Sequence, residues 1–362
     1  MNSLDGKVIY IIATGCRRSK ELPTFIHKLE QMGAVVYVFA TEACKQIVDF
    51  SGEQFKDISL RFNNDKDRRM EIPKEDLIIV APCSFNTFNK IANGVADSYP
   101  LTIIQTAIGH GTQVILCASM NYDLWRNIAT QSSLEKLSKI GNINIVWPEF
   151  FYNNNRDVLK LSMSPWAKIE DSILSYFHIL PFNPICLSCS NTYNETYNNI
   201  SNELKTFGKI CKELYLCLNR SGCIAKKVDS GILISATGSM VGNLENEDMV
   251  LIKNIDNENV LYEGKMPPSS ESLIVYKILQ NRPVGTCLIH CHCQRITYAK
   301  ESKEFTTREY FNSKNQIQVD EVLKIIEEFG YVNLHLHGQI FCGSSFEEII
   351  GRILKIYYKT KD

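Results

Sequence analysis

Short apolar runs alternate with helical patterns along the first 150 positions of the chain. The runs are rich in β-branched residues and short enough to be buried strands, whereas the segments between them repeat apolar residues at the spacing of one helix face. Strands are predicted at residues 7–12, 34–40, 76–81, 112–117 and 142–147, and helices at 22–32, 87–92 and 122–140. Strands that alternate with helices pair in parallel, so this half should be a doubly wound parallel sheet.

The pattern changes at residues 151–200, which are polar and poorly periodic apart from one helical piece near 166–177. We predict a linker there, between a first domain at 1–150 and a second at 201–362. The second domain should contain strands at 231–235, 249–255, 286–292 and 331–337, and helices at 202–219, 270–280, 319–329 and 345–354. Because these elements do not alternate strictly, an α/β domain with a mixed sheet is predicted.

Composition and net charge limit the partners and the cellular location that can be expected for the chain. Hydrophobic residues make up 44% of the chain and the formal net charge is -1, so no bulk charge favours nucleic acid or an anionic membrane as a partner. The thirteen cysteines, without a secretory pattern at the start, suggest reduced thiols and a cytoplasmic location. Cys186 and Cys189 form a CxxC that could bind zinc or act in redox chemistry.

A pair of histidines two positions apart is the strongest chemical signal. On a strand, His290 and His292 point to the same face, so both imidazoles can reach one metal ion. An isolated pair of this kind is more often a pair of strand residues bonded to the backbone. Glu271 upstream and His337 downstream favour the metal instead, because together they supply a site of three histidines with an acid beside it.

In a doubly wound sheet, ligands lie beyond the carboxyl ends of the strands. Residues 81–87 follow a buried strand there and open a helix, which places hydroxyl and amide side chains at a positive helix end. That arrangement suits a phosphate, although the same residues could equally form a capping turn.

The first half also resembles a known family. Thr14-Gly15-Cys16, Thr41-Glu42-Ala43, the segment 81–97 and Ala118 to Trp125 are similar to the motifs of the FMN-dependent flavoproteins that include phosphopantothenoylcysteine decarboxylase. The resemblance covers about residues 5–150 and implies a flavodoxin-like or Rossmann-like domain that binds FMN. It assigns the cofactor to Gly15, Cys16, Thr41, Ser84, Asn86, Thr87 and Ser119, and it places Asn121 as a catalytic residue facing the substrate carboxylate.

One position departs from that family. Its decarboxylases carry a histidine just before the third strand, where this chain has Arg69. An arginine stays charged and would hold an anion rather than shuttle a proton. We therefore expect Arg69 to anchor a carboxylate or phosphate of the substrate.

The second half resembles class II aldolases and the adducin head domain over about residues 203–355, through the order of residues 231–239, 263–271, the His-x-His pair and His337-Gly338. The resemblance implies that His290, His292 and His337 bind zinc or another divalent metal, and that Glu271 either carries a proton for transfer or occupies the empty metal position. It assigns a substrate phosphate to Thr237, Gly238, Ser269 and Ser270. The family's Gly-Asn-x-Ser loop aligns with Gly222-Cys223-Ile224-Ala225, and Tyr298 and Tyr310 are candidates for a tyrosine acid.

Together these features predict a fused cytoplasmic enzyme, a carbon–carbon lyase of decarboxylase or aldolase type that acts on a small phosphorylated or carboxylated metabolite. The alternative is a flavin-dependent reductase or electron carrier with a non-catalytic, adducin-like assembly domain. Both resembled families form symmetric oligomers, so a homo-oligomer, trimer-based or tetrameric, is expected.

Overall fold

The computed structural model describes residues 3–52, 60–61, 72–152, 159–189, 197–217, 222–310 and 316–359. The chain divides into two compact units, Met1–Ile173 and Leu174–Asp362. Within the described ranges, none of the helices combines the length and the apolar character that a bilayer crossing would need.

A parallel sheet forms the centre of the first unit. Its strands in chain order are β1 (Val8–Ala13), β2 (Val35–Ala40), β3 (Leu60–Arg61), β4 (Leu77–Cys83), β5 (Gln113–Ala118) and β6 (Ile143–Val146). They are arranged as β3-β2-β1-β4-β5-β6, and each neighbouring pair is parallel. The strand order reverses between β1 and β4, which makes the crevice beyond their carboxyl ends the topological switch point. The predicted doubly wound parallel sheet is confirmed.

Helices connect these strands. They are α1 (Leu22–Gln31), α2 (Glu42–Lys45), α3 (Phe85–Ala92), α4 (Tyr99–His110), α5 (Tyr122–Arg126) and α6 (Ile128–Ser138). The single helix predicted at 122–140 is therefore two helices. The break lies at Asn127, whose backbone is extended (φ -56°, ψ 137°) and whose Oδ1 accepts a hydrogen bond from the amide of Ala129, capping α6.

The stretch predicted as a linker, 151–200, contains regular structure in its described part. Strands β7 (Glu149–Tyr152) and β8 (Leu159–Ser162) form an antiparallel pair, and helix α7 (Trp166–Tyr176) follows. Strand β9 (Asn183–Ser188) already belongs to the sheet of the second unit.

The second unit contains a sheet of eight strands, and the predicted mixed character of the sheet is confirmed. After β9 come β10 (Cys223–Val228), β11 (Gly231–Ser235), β12 (Met249–Asp256), β13 (Asn259–Glu263), β14 (Cys287–Cys291), β15 (Tyr331–Leu334) and β16 (Gly338–Gly343). Their order is β15-β16-β14-β10-β11-β12-β13-β9. Every pair is antiparallel except β13 with β9.

Both faces of this sheet are covered by helices. The helices are α8 (Asn198–Glu213), α9 (Ser272–Leu279), α10 (Gln294–Thr297), α11 (Gln316–Phe329) and α12 (Phe346–Lys359). Leu233 packs in a core with residues of α8 and α12, whereas its neighbours Ile232 and Ile234 pack in a core with residues of α9 and α11. Successive side chains of β11 thus pack on opposite faces of the sheet. Both faces are covered, and all five residues of β11 are buried.

One prediction for this sheet is wrong. Residues 331–337 were predicted as one strand, but β15 ends at Leu334 and the chain turns back at Leu336, whose φ is +56°. His335 and His337 therefore do not share a strand face. His337 lies in the tight turn that leads into β16.

Candidate functional site

Three histidines of the second unit converge on one point. His290 lies in β14, His292 follows the end of that strand, and His337 lies in the β15–β16 turn. Because β14 and β16 are antiparallel neighbours, with Cys291 opposite Gln339, the turn before β16 is brought beside the end of β14. One ligand nitrogen from each ring lies within 4.8 Å of the others. The convergence expected from the His-x-His spacing is thus present in the structure.

The hydrogen bond behind His290 fixes its tautomer. Nδ1 lies 3.0 Å from the backbone oxygen of Gln339, and a carbonyl can only accept, so Nδ1 carries the proton. Burial lowers the pKa of His290 to about 4, against the opposing effect of this hydrogen bond. The ring is therefore neutral near pH 7, and the lone pair of Nε2 faces the other two rings. A metal-ligating histidine needs this arrangement.

Gln339 also braces the surrounding structure, a role with no signal in the sequence. Its Oε1 accepts from the amide of Cys293 at 3.1 Å, and its Nε2 donates to Thr297 and Asn333 at 2.7 and 2.8 Å. The side chain is completely buried. It ties the segment that carries His292 to both strands of the hairpin that carries His337.

A carboxylate lies beside the triad. Oε1 of Glu271 is 3.8 Å from Nε2 of His337, and Glu271 is only 7% exposed. It occupies the residue before α9, and its amide donates to the hydroxyl of Ser269 at 3.3 Å. An ionised carboxylate that is buried in this way is stabilised by a nearby positive charge, which a cation at the triad would provide.

The four residues of the second unit that were predicted to bind a substrate phosphate lie on two adjoining segments. Ala236 forms a bridge with Pro268, and the amide of Thr237 donates to the oxygen of Pro267 at 2.9 Å. These bonds set the turn of Thr237 and Gly238 against the segment that contains Ser269 and Ser270. Gly238 has a φ of +68°, a conformation that favours glycine.

Two other residues, His178 and Cys223, lie beside these segments, and their positions there were not predicted from the sequence. The ring of His178 would lie 3.5 Å from a Cβ built on Gly238. Cys223 pairs through its backbone with His290, and its side chain bonds with Ser269. Burial raises the pKa of the Cys223 thiol to about 12, and the charge of Glu271 adds to the rise. The thiol of Cys223 therefore lies near Glu271, at the position where the Gly-Asn-x-Ser loop of the resembled family has an asparagine amide.

The two candidate tyrosines are placed differently. The ring centroid of Tyr310 lies 6.2 Å from that of His337. Tyr298 follows directly after α10. The ring contact places Tyr310 beside His337.

In the first unit, the predicted flavin-binding residues lie at the carboxyl ends of adjacent strands. Gly15 and Cys16 follow β1, Thr41 follows β2, Ser84 follows β4 and Ser119 follows β5. The thiol of Cys16 reaches the backbone oxygen of Ser119 at 3.4 Å. These residues therefore line the crevice at the topological switch point.

Thr14, which the family resemblance did not assign to the cofactor, joins two of those strand ends. Its hydroxyl donates to the oxygen of Pro82 at 2.7 Å and accepts from the amide of Ser84 at 3.0 Å. Ser84 in turn caps α3, since its Oγ accepts from the amide of Thr87 at 3.5 Å and donates to the hydroxyl of the same residue at 3.1 Å. The capping turn left open by the sequence is present, at the helix end where a phosphate would bind.

Thr41 provides an independent sign of a ligand. Its hydroxyl is buried and, among the described residues, has no hydrogen-bond partner. Buried hydroxyl groups are normally satisfied, so this one is suited to bond a bound molecule. Asn121 caps α5 through Oδ1, which accepts from the amide of Leu124 at 2.8 Å, and its Nδ2 takes no part in this cap. Arg69 lies outside the described residues.

Comparison with known proteins identifies both halves. Residues 2–178 match the family model Flavoprotein, and residues 195–358 match the model Class II Aldolase and Adducin N-terminal domain. The chain carries a flavoprotein domain followed by a class II aldolase and adducin domain. The second match contains all three converging histidines and Glu271.

Two curated relatives are each similar to part of the chain. The coenzyme A biosynthesis bifunctional protein CoaBC of Vibrio cholerae is 28% identical over 149 residues, which are 39% of this chain and 37% of that protein. The L-fuculose phosphate aldolase of Methanococcus vannielii is 28% identical over 134 residues, 36% of this chain and 66% of that protein. The chain thus spans less than two thirds of either relative. The solved structure of the FMN binding protein AtHal3 superimposes with a TM-score of 0.40 at 22% identity, covering 48% of this chain and 97% of that one.

Proposed function

We propose that this chain is a fused lyase whose second domain is a zinc-dependent, aldolase-type enzyme acting on a small phosphorylated or carboxylated metabolite, and whose first domain binds FMN. One observation carries the proposal. The imidazoles of His290, His292 and His337 converge on one point, and the buried carboxylate of Glu271 lies 3.8 Å from Nε2 of His337. The two family matches support the same pairing of domains.

The donor set fits a divalent metal. Zinc holds histidine nitrogens at about 2.0–2.1 Å, so tetrahedral ligands lie about 3.3 Å from one another. The Nε2 atoms of His290 and His292 are 2.8 Å apart and all three ligand atoms lie within 4.8 Å, so small side-chain shifts would complete the site. Three protein ligands leave a fourth position for substrate. A bound zinc ion would supply Lewis acidity towards a substrate oxygen.

Glu271 is suited to proton transfer. Its carboxylate is buried beside the triad and held at the start of α9, so its position relative to a substrate bound at the triad is fixed. A general base has to lie within hydrogen-bond reach of the proton that it takes. We assign to Glu271 the transfer of a proton at the carbon next to the substrate carbonyl or carboxylate.

The substrate's anionic group would bind at Thr237, Gly238, Ser269 and Ser270. Their hydroxyl groups and the amides of the turn donate hydrogen bonds, which suits phosphate or carboxylate oxygens. Cys223 changes the lining of this subsite, because a buried thiol replaces a strong donor. A substrate with less need for a hydrogen bond at that point is therefore proposed, rather than the sugar phosphates of typical family members.

The first domain fits FMN. The amides at the start of α3, together with Ser84, Asn86 and Thr87, would hold the phosphate, and Thr41, Ser119, Gly15 and Cys16 would line the rest of the crevice. Bound FMN would supply two-electron redox chemistry. The Nδ2 of Asn121 would orient a substrate carboxylate. The role predicted for Arg69, holding an anion, stays a prediction.

The test is a metal and flavin assay on the purified full chain. We expect a flavin absorbance spectrum and about one zinc ion per chain, and we expect His290→Ala to lose the metal but keep the flavin. His335→Ala is the matched control, because His335 lies two residues from His337 and outside the triad. A colourless, metal-free wild-type protein would overturn the proposal.

The same preparation tests the alternative, a flavin-dependent reductase or electron carrier with an adducin-like assembly domain. The arginine in place of the decarboxylase histidine favours it. Rapid bleaching of the flavin by NADH or NADPH, in a chain whose His290→Ala variant retains every activity, would support this alternative. Native mass spectrometry would show whether the expected homo-oligomer is trimer-based or tetrameric.

A further inference from the structure

Two cysteines of the second unit stand apart from the other eleven. All thirteen lie within the described residues, and only Cys186 and Cys189 are exposed. Cys186 lies in β9, at the edge of the eight-stranded sheet, and Cys189 is the first residue after that strand. Neither belongs to the metal centre or to the flavin crevice.

A bulge brings the two thiols together. On a regular strand, residues three apart point to opposite faces and lie about 10 Å from each other. Here Cys186 lies opposite Tyr262, but Ser188 lies opposite Glu263, so Leu187 is an extra residue in β9. An extra residue reverses the alternation of side chains and bends the strand. As a result the two Sγ atoms are 2.9 Å apart.

This geometry favours thiol exchange over metal binding. A structural zinc site needs four ligands, and the described residues contain one group of three or more candidate ligands, the histidine triad. The hydrogen bond that the Cys186 thiol donates to Cys189, followed by burial, raises the pKa of Cys186. The thiol of Cys186 also lies 3.8 Å from the backbone oxygen of Gly264, which can accept its proton, so we assign the attack to Cys189, which lies beyond the strand end.

We propose that Cys186 and Cys189 form a reversible dithiol–disulfide pair that exchanges two electrons with a low-molecular-weight disulfide. The thiolate of Cys189 attacks one sulfur of the external disulfide, forming a mixed disulfide and expelling one thiolate, which takes up a proton. Cys186 then loses its proton and attacks Sγ of Cys189, which breaks the mixed disulfide and expels the second thiolate. The protein gives up two electrons and two protons, and the external disulfide becomes two thiols.

The test uses the full chain, reduced and freed of reductant, with glutathione disulfide as the probe. After alkylation of the remaining thiols, peptide mass mapping should show Cys186 linked to Cys189 and no lasting glutathione adduct. Cys186→Ser removes the resolving thiol, so a glutathione adduct should persist on Cys189. In Cys189→Ser the attacking thiol is missing, so no Cys186–Cys189 linkage should form and modification of Cys186 should be slower than modification of Cys189 in Cys186→Ser.

Cys342→Ser is the matched control, since Cys342 is buried in β16 of the same sheet, and it should leave the linkage unchanged. A wild-type chain that ends as a stable glutathione adduct, or that does not react, would overturn the proposal. So would a chain in which Zn²⁺ protects both thiols from alkylation in the His290→Ala background, because the pair would then be a metal site.

Discussion

The Nε2 atoms of His290 and His292 lie 2.8 Å apart. Since the proton of His290 is held on Nδ1 by the oxygen of Gln339, its Nε2 presents a lone pair to its neighbour. The Nε2–H tautomer of His292 would donate a hydrogen bond to that lone pair, and a bound cation would take the place of this proton. The two nitrogens can therefore serve as ligands of one cation, and His337 and Glu271 approach the same point.

Removal of the metal should destabilise the second unit selectively. A ligand at one hundred times its Kd stabilises a folded protein by about 2.7 kcal/mol, which for a domain of this size corresponds to roughly 5–10 °C in Tm. Calorimetry with and without a chelator should show this fall for wild type and not for His290→Ala. All three tryptophans, Trp125, Trp147 and Trp166, lie in the first unit, so their fluorescence transition is an internal reference that should not move.

Glu271→Gln should separate metal binding from turnover. The amide keeps the shape of the side chain but cannot accept the substrate's proton, so kcat for the substrate that wild type turns over should fall by about 10²–10⁴. Zinc content should stay at the wild-type level, because the three imidazoles are untouched. If Glu271→Gln turned over at the wild-type rate, Glu271 would not be the proton carrier.

Thr41→Val should act in opposite directions on stability and on flavin binding. Without flavin, it removes a buried hydroxyl that lacks a partner among the described residues, so the free energy of unfolding should rise by about 1 kcal/mol. The Kd for FMN should rise about tenfold, which is 1.4 kcal/mol. Urea unfolding followed by tryptophan fluorescence and flavin titration measure the two effects.

Thr14→Val is the comparison for that experiment. It leaves the oxygen of Pro82 and the amide of Ser84 without their hydrogen-bond partner. The free energy of unfolding of the flavin-free protein should therefore fall by about 1–3 kcal/mol. Equal effects of the two substitutions on the flavin-free chain would contradict the ligand role of Thr41.

Lys168 of α7 should make the stability of the first unit depend on pH. Burial lowers its pKa from 10.5 to about 8, with Cys117 and Glu149 opposing the shift. Below pH 8 the ammonium is charged in both states and its burial destabilises the fold. Between pH 8 and 10.5 the folded state gives up the proton while the unfolded state keeps it, so stability rises with pH.

Lys168→Met should therefore be more stable than wild type at pH 7, by up to about 3 kcal/mol, and the difference should shrink towards pH 10. Urea unfolding followed by tryptophan fluorescence at each pH measures it. Lys139→Met, at an exposed ion pair with Glu135, is the control and should change stability by less than about 1 kcal/mol at every pH. A constant difference across the pH range would show that the charge of Lys168 is not the cause.

The sequence predicted those parts of the fold and site that depend on local periodicity. Alternating strands and helices were enough for the parallel sheet, and the spacing of His290 and His292 was enough for their convergence. The turn at Leu336 was missed, because a leucine with a positive φ carries no turn signal and is held in place by the pairing of β15 with β16.

Contacts between distant segments could not be read from the sequence either. Thr14 bonds residues about seventy positions away, and Gln339 bonds Cys293 across two strands. Each needs the folded sheet to bring its partners near. The extra residue at Leu187 is of the same kind, since a bulge exists only relative to the register of β13.

The position of β9 has a practical consequence for dissecting the chain. The aldolase and adducin match begins at residue 195, but β9 ends at Ser188 and is hydrogen-bonded along β13. A fragment that started at residue 195 would lack β9 and would leave the backbone groups on that edge of β13 unpaired. Unpaired sheet edges can hydrogen-bond to other chains and cause aggregation. Separate expression of this half should therefore begin before Asn183.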